Sequence, residues 1–356
     1  MTPSAVDWSL AERVAVRVAG REPFADSYHA QSLVPDFEQF TVIAEDLVAD
    51  CTGLRSAAGP ARARVTDRNG WVRANVASFQ RLLRPVLDRF SATAGSGPFA
   101  PFTSRVTGAE LGVMLGWMST RVLGQYDLLV IEDENPEDQD LVYYVGPNVL
   151  ALERRFAFPP SEFRLWLALH EVTHRAQFTG VPWMRGYFLG LVEQTVSAVG
   201  PDPARFAAAV GRAAESLRQG RNPLADGGVM ALVATDDQRE VLDRMSGLMS
   251  LLEGHGDVTM DRAGADRIPS AARFSRVLRQ RRQQSQGLAR ILQQLIGLEA
   301  KLAQYEQGEK FIAAVERQDP VLIDRVWADP ELLPTLVEIR DPDAWLSRIG
   351  AGATNA

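Results

Sequence analysis

Residues 164–178 read RLWLALHEVTHRAQF, and this stretch decides how the rest of the chain is read. His170 and His174 stand four apart, which on a helix puts both side chains on one face, one turn apart. Two imidazoles so placed can aim nitrogens at a single metal ion. Glu171 is turned about 100° from His170, so it can reach a metal-bound water without being a ligand. In that arrangement a carboxylate takes a proton from zinc-bound water as the water attacks a carbonyl. With four histidines and 21 glutamates in 356 residues, chance predicts roughly 0.003 occurrences of this pattern. Leu165, Trp166, Leu167, Ala168 and Leu169 precede it, and Val172 and Thr173 fill it without charge. A helix apolar on nearly all sides is expected to be buried. Two histidines and a glutamate on such a helix need satisfying, either by hydrogen-bonding the histidines as a core pair or by a metal, which satisfies them directly.

A zinc site needs a third protein ligand, and three residues compete. Glu253 lies in LLEGHGDVTMD (251–261), with Asp257 one turn later on the same face. The glutamate suits a ligand, and the aspartate suits an acceptor that fixes the tautomer of a ligand histidine. Glu193 is separated from His174 by eighteen residues, a spacing similar to that of the large zinc aminopeptidases, but Ser197 stands where an Asp or Asn would follow. His255 is the third option. If it is not a ligand, it can line the cleft as a donor to a developing oxyanion.

The composition excludes other classes. A 46% hydrophobic content can fill a sizeable core, and a net charge of −7 from 38 basic and 45 acidic residues argues against a nucleic-acid partner. The single cysteine, Cys51, rules out a disulfide framework and a thiolate zinc ribbon, and reads as a packed thiol. His29 reads as a surface residue. The first twenty residues lack a basic start followed by an apolar run. The longest apolar-looking stretch, Val106–Val122, carries Glu110 and Arg121, so no membrane span is expected. The expectation is a cytoplasmic protein acting on a peptide or protein substrate.

Helical periodicity dominates, giving a mainly α expectation. Helices are expected over 8–19, 37–52, 69–90 (interrupted at Pro85), about 107–123 from a Thr107/Glu110 capping box, 161–179, 184–199, 203–219, 236–257 and 270–317, with short helices after that. The RQRRQQ run at 279–284 reads as a solvated helix face. Tyr126–Ile131 and Leu141–Val145 flank the acidic EDENPEDQD and read as a small antiparallel strand pair preceding the metal helix. The first of them could bind extended substrate by backbone pairing. Residues 1–105 are expected to form an N-terminal helical region packed on a catalytic region, 106–349, with 350–356 a frayed tail.

The segments HEVTHRAQFTGVPW, GWMSTRVLGQYDLL, VGPNV, LLEGHGDVTMD, QYEQGEKF and VW…PELLPT together resemble the zincin-like metallopeptidase family of actinobacteria and related bacteria, a family associated with biosynthesis of the deazaflavin coenzyme. The resemblance covers about 105–348 and, more weakly, the N-terminal helices. It implies a mostly helical zincin-like fold with His170, Glu171 and His174 on the active-site helix. It carries no substrate, and nothing in the chain resembles a flavin-binding or phosphate-binding loop. Glu253 and Asp257 are similar to the gluzincin pattern, although 78 residues lie between His174 and Glu253. The expected function is zinc-dependent peptide hydrolysis with Glu171 as general base. A helical scaffold with a structural or vestigial zinc site, or a non-peptidic zinc amidase, would use the same residues.

Overall fold

Small residues decide the first helix contact. Helix α1 (Trp8–Ala19) starts at Asp7, whose carboxylate accepts from the Leu10 N–H at 2.9 Å. Its buried stripe of Ala11, Ala15 and Ala19 lies against α5 (Ala100–Ser119). There Gly108, Gly112 and Gly116 recur every fourth residue, and a Cβ at either of the last two would sit 2.5 Å from the Ala11 or Ala15 carbonyl oxygen. Side chains at those positions would push the helices apart. Thr107 is therefore inside a helix rather than at its start, with its hydroxyl bonded to Thr103 O at 3.1 Å.

The computed structural model describes residues 6–22, 24, 27–93, 100–128, 140–197, 236–283 and 298–353. The expected 203–219 helix, the middle of the expected 270–317 helix and most of the acidic loop after Tyr126 lie outside the described residues. Helix α2 (Tyr28–Gln31) carries the exposed His29, and α3 (Leu33–Thr52) ends at Gly53 in the left-handed conformation, φ 70°. Cys51 is exposed rather than packed, because it falls on the outer face of α3. Helix α4 (Arg68–Thr93) runs through Pro85 without a break.

The sheet has three strands in the order β1-β3-β2. Strands β2 (Gly124–Tyr126) and β3 (Leu141–Val145) pair antiparallel, as expected, with Gly124 opposite Tyr144. Of the first expected strand, Tyr126 ends β2 and residues 127 and 128 are not strand, while 129–131 lie outside the described residues. β1 (Arg62–Thr66) pairs parallel with β3, so the sheet is mixed rather than purely antiparallel. Its alternation of exposed arginines with half-buried small residues hid it from a search for apolar runs. The middle strand β3 is buried along its whole length, which is why it was plain in the sequence.

Helix α6 (Gly146–Phe156) follows β3 directly, with Pro147 in its first turn. Asn148 on α6 donates to Ser119 O and Val122 O, each at 2.7 Å, and accepts from Arg68 at 2.8 Å, tying α5 and α4 to the sheet. Helix α7 (Pro160–Gly180) then packs on α3. Arg164 and Arg175 lie eleven residues apart, three turns along one face of α7. Arg164 grips Glu153 at 2.8 and 2.9 Å, together with Asp36 at 2.5 Å. Arg175 grips Asp140 at 2.6 Å, Glu45 at 2.7 Å and the Gly59 carbonyl at 2.7 Å. Burial alone would lower both guanidinium pKa values, but the facing carboxylates outweigh it and hold them above the usual range. Phe37 of α3 stacks on Tyr144 at 3.8 Å, completing the join of helix and sheet.

These elements form one compact unit, Met1–Gly180 with Thr259–Phe274; the other comprises Val181–Val258 and Ser275–Ala356. The second unit holds α8 (Met184–Ser197), most of α9 (Asp236–Ala263), most of α10 (Ala271–Gln283), α11 (Leu298–Gln318), two 3-10 turns, α12 (Leu336–Arg340) and α13 (Pro342–Ala353). In it, Gly254 of α9 meets Gly308 of α11 so closely that a Cβ on Gly254 would lie 2.6 Å from Glu309 N. Trp345 fixes α13 by donating to Leu332 O at 2.8 Å and packing edge-on against Phe311. None of the described helices is long and apolar enough to cross a membrane.

Candidate metal centre

The register of α7 sets the centre. Phe163 through Leu169 are buried on every face of the helix, so it cannot rotate without exposing apolar surface. The two arginine clamps fix the same rotation from the α3 side. With that face fixed, His170 and His174 share another and remain half-buried. Their Nε2 atoms are 3.2 Å apart and the rings stand nearly perpendicular, at 85°. Two nitrogens each bound to zinc at a tetrahedral angle would be separated by about 3.3 Å, so the pair fits one ion.

Among the described residues, one group of three possible ligands occurs: His170, His174 and Glu253, whose ligand atoms all lie within 4.8 Å of one another. Two imidazoles and a carboxylate form a donor set suited to zinc, with a fourth position left for water. Glu253 is buried, although its helix continues ten residues beyond it to Ala263. The close contact of α9 with Gly308 of α11 involves Ser250 and Gly254, on either side of Glu253 in the chain. Asp257 is half-buried one turn further along α9. His255 lies with its ring 4.9 Å from Trp327, at 70°, and Glu193 is exposed on α8. Neither belongs to the group of three.

Glu171 is buried and faces the sheet. A Cβ on Gly124, in the outer strand β2, would stand 2.6 Å from Glu171 Cγ and Oε1. The glycine thus makes room for the carboxylate. Opposite Gly124, Tyr144 is fully buried and shares a 2.8 Å hydrogen bond with Thr41. Burial raises the Tyr144 pKa far above that of a free phenol, and the Glu171 charge raises it further, so the hydroxyl stays protonated. β2 itself is held by Gln125, which accepts from Trp71 Nε1 at 2.8 Å and donates to Asn75 at 3.2 Å.

Sequence reasoning missed three residues here: Gly124, Tyr144 and Gln177. Gln177 is fully buried, and its amide oxygen lies 3.0 Å from His174 Nδ1. Its place three residues after His174, on the same helix face, was a usable signal. Gly124 and Tyr144 come to Glu171 through strand pairing, which spacing along the chain does not reveal.

A profile described as zincin-like metallopeptidase matches residues 6–346. Among solved structures, the chain is similar to a candidate hydrolase with a novel fold from Chloroflexus aurantiacus. The two are 31% identical over 97% of this chain and 99% of that one, with a TM-score of 0.71. No curated protein matches.

Proposed function

The chain belongs to the zincin-like metallopeptidase family, and we propose that it is a zinc-dependent hydrolase that cleaves peptide bonds. The observation that carries this reading is the convergence of His170, His174 and Glu253, with all three ligand atoms within 4.8 Å. These residues would hold the ion. Zinc, when bound, supplies Lewis acidity that makes water nucleophilic at neutral pH and polarises the scissile carbonyl.

The remaining work falls to the chain's own groups. Glu171, one residue past His170 and pressed against Gly124, takes the proton of the attacking water on a carboxylate oxygen. It then returns that proton to the leaving amine. Asp257 stands one turn beyond Glu253 on the same helix, where it would add negative charge beside that carboxylate. β2, the outer strand beside α7, offers a backbone edge along which extended substrate can align.

Glu171→Gln tests the assignment, since it keeps the shape and removes the base. Assayed on a mixture of peptides by mass spectrometry, the variant is expected to retain zinc and lose turnover by about a hundredfold or more. Unchanged turnover in the zinc-loaded variant would overturn the mechanism and favour a protein in which the metal is structural.

A further inference from the structure

We propose that Gln177 is the positioning residue for His174, selecting the tautomer that leaves Nε2 free to bind the metal. The inference rests on the zinc reading above and deepens it. Gln177 has no exposed surface, and its Oε1 lies 3.0 Å from His174 Nδ1. An amide oxygen has no proton to donate, so the proton in this bond sits on Nδ1 and His174 donates it. In a neutral imidazole that leaves Nε2 as a lone pair. Nε2 is the atom 3.2 Å from His170 Nε2, whereas Nδ1 is taken up by Gln177. The reversed amide would donate to Nδ1, force the proton onto Nε2 and block coordination.

The geometry also explains why a neutral residue suffices. Gln177 lies on the same buried helix as His174, three residues on, so its side chain reaches the ring without spanning to another element. A carboxylate there would draw the proton more strongly and make the imidazole a better ligand. Glutamine fixes the tautomer without adding a charge to a helix that already buries Glu171.

The test is zinc affinity, measured by chelator competition on full-length protein, for wild type, Gln177→Leu and Gln177→Glu. Gln177→Leu is expected to bind zinc about 10- to 100-fold more weakly, and Gln177→Glu at least as tightly as wild type. A purely structural role would lower the thermal midpoint and leave this pattern absent. If Gln177→Leu does not fold, Gln177→Glu decides, and weaker zinc binding by it overturns the proposal. Equal affinity in wild type and Gln177→Leu also overturns it while leaving the metal centre intact. Absence of zinc binding in wild type would instead remove the functional reading beneath it.

Discussion

At the residue scale the centre depends on what sits against each functional side chain. Glu171 keeps its place because position 124 has no Cβ, and adding one would put it 2.6 Å from the carboxylate. Gly124→Ala therefore has to displace either β2 or the Glu171 side chain. The expected outcome is a kcat reduced by about tenfold to a hundredfold, the scale of an ångström-sized misplacement. Zinc content should stay unchanged, since the three atoms nearest a Cβ at position 124 all belong to Glu171. A fall in zinc together with activity would show that the glycine serves the helix rather than the base. His170, His174 and Glu171 were legible as candidates in the sequence because one helix carries them at fixed spacing. Gly124 was not, because its reason for being glycine is a side chain 47 positions away, brought near only by the strand.

At the element scale α7 is the part whose rotation must not change, and buried charge holds it. Arg175 follows His174 directly and is 1% exposed, with Asp140, Glu45 and a carbonyl around its guanidinium. Asp140 also accepts from Tyr126 at 3.1 Å, so one carboxylate joins β2, the start of β3 and α7. Asp140 has a positive φ of 52°, which asparagine tolerates, so Asp140→Asn removes the charge without straining the backbone. We expect it to destabilise the protein by about 3 kcal/mol, because a buried guanidinium then loses one of its two carboxylate partners. Urea denaturation measures this, and a change below about 0.5 kcal/mol would mean that Glu45 alone satisfies Arg175. Helix existence was readable from periodicity here, and the apolar run on α7 forecast its burial. The arginine clamps were not readable, since Arg164 and Arg175 look like solvated charges until α3 supplies Asp36 and Glu45. β1 was hidden for a related reason: an alternating strand with two exposed arginines carries little apolar signal.

At the scale of the whole molecule, the chain is a mainly helical zincin-like protein whose described residues include a three-stranded mixed sheet packed on α7. Two of its four histidines stand one turn apart on that helix, and the carboxylate grouped with them comes from a helix beginning more than sixty residues later. That separation is why the sequence left Glu253, Glu193 and His255 as competitors: spacing constrains ligands on one helix and says little across intervening elements. The assignment of Glu253 is the central claim, and zinc content per chain tests it most directly. Protein purified without a histidine tag should carry close to one zinc, and His170→Ala and Glu253→Ala should carry almost none. Glu193→Ala, altered at an exposed position on α8, should match wild type. Zinc kept by Glu253→Ala and lost by Glu193→Ala would contradict the account.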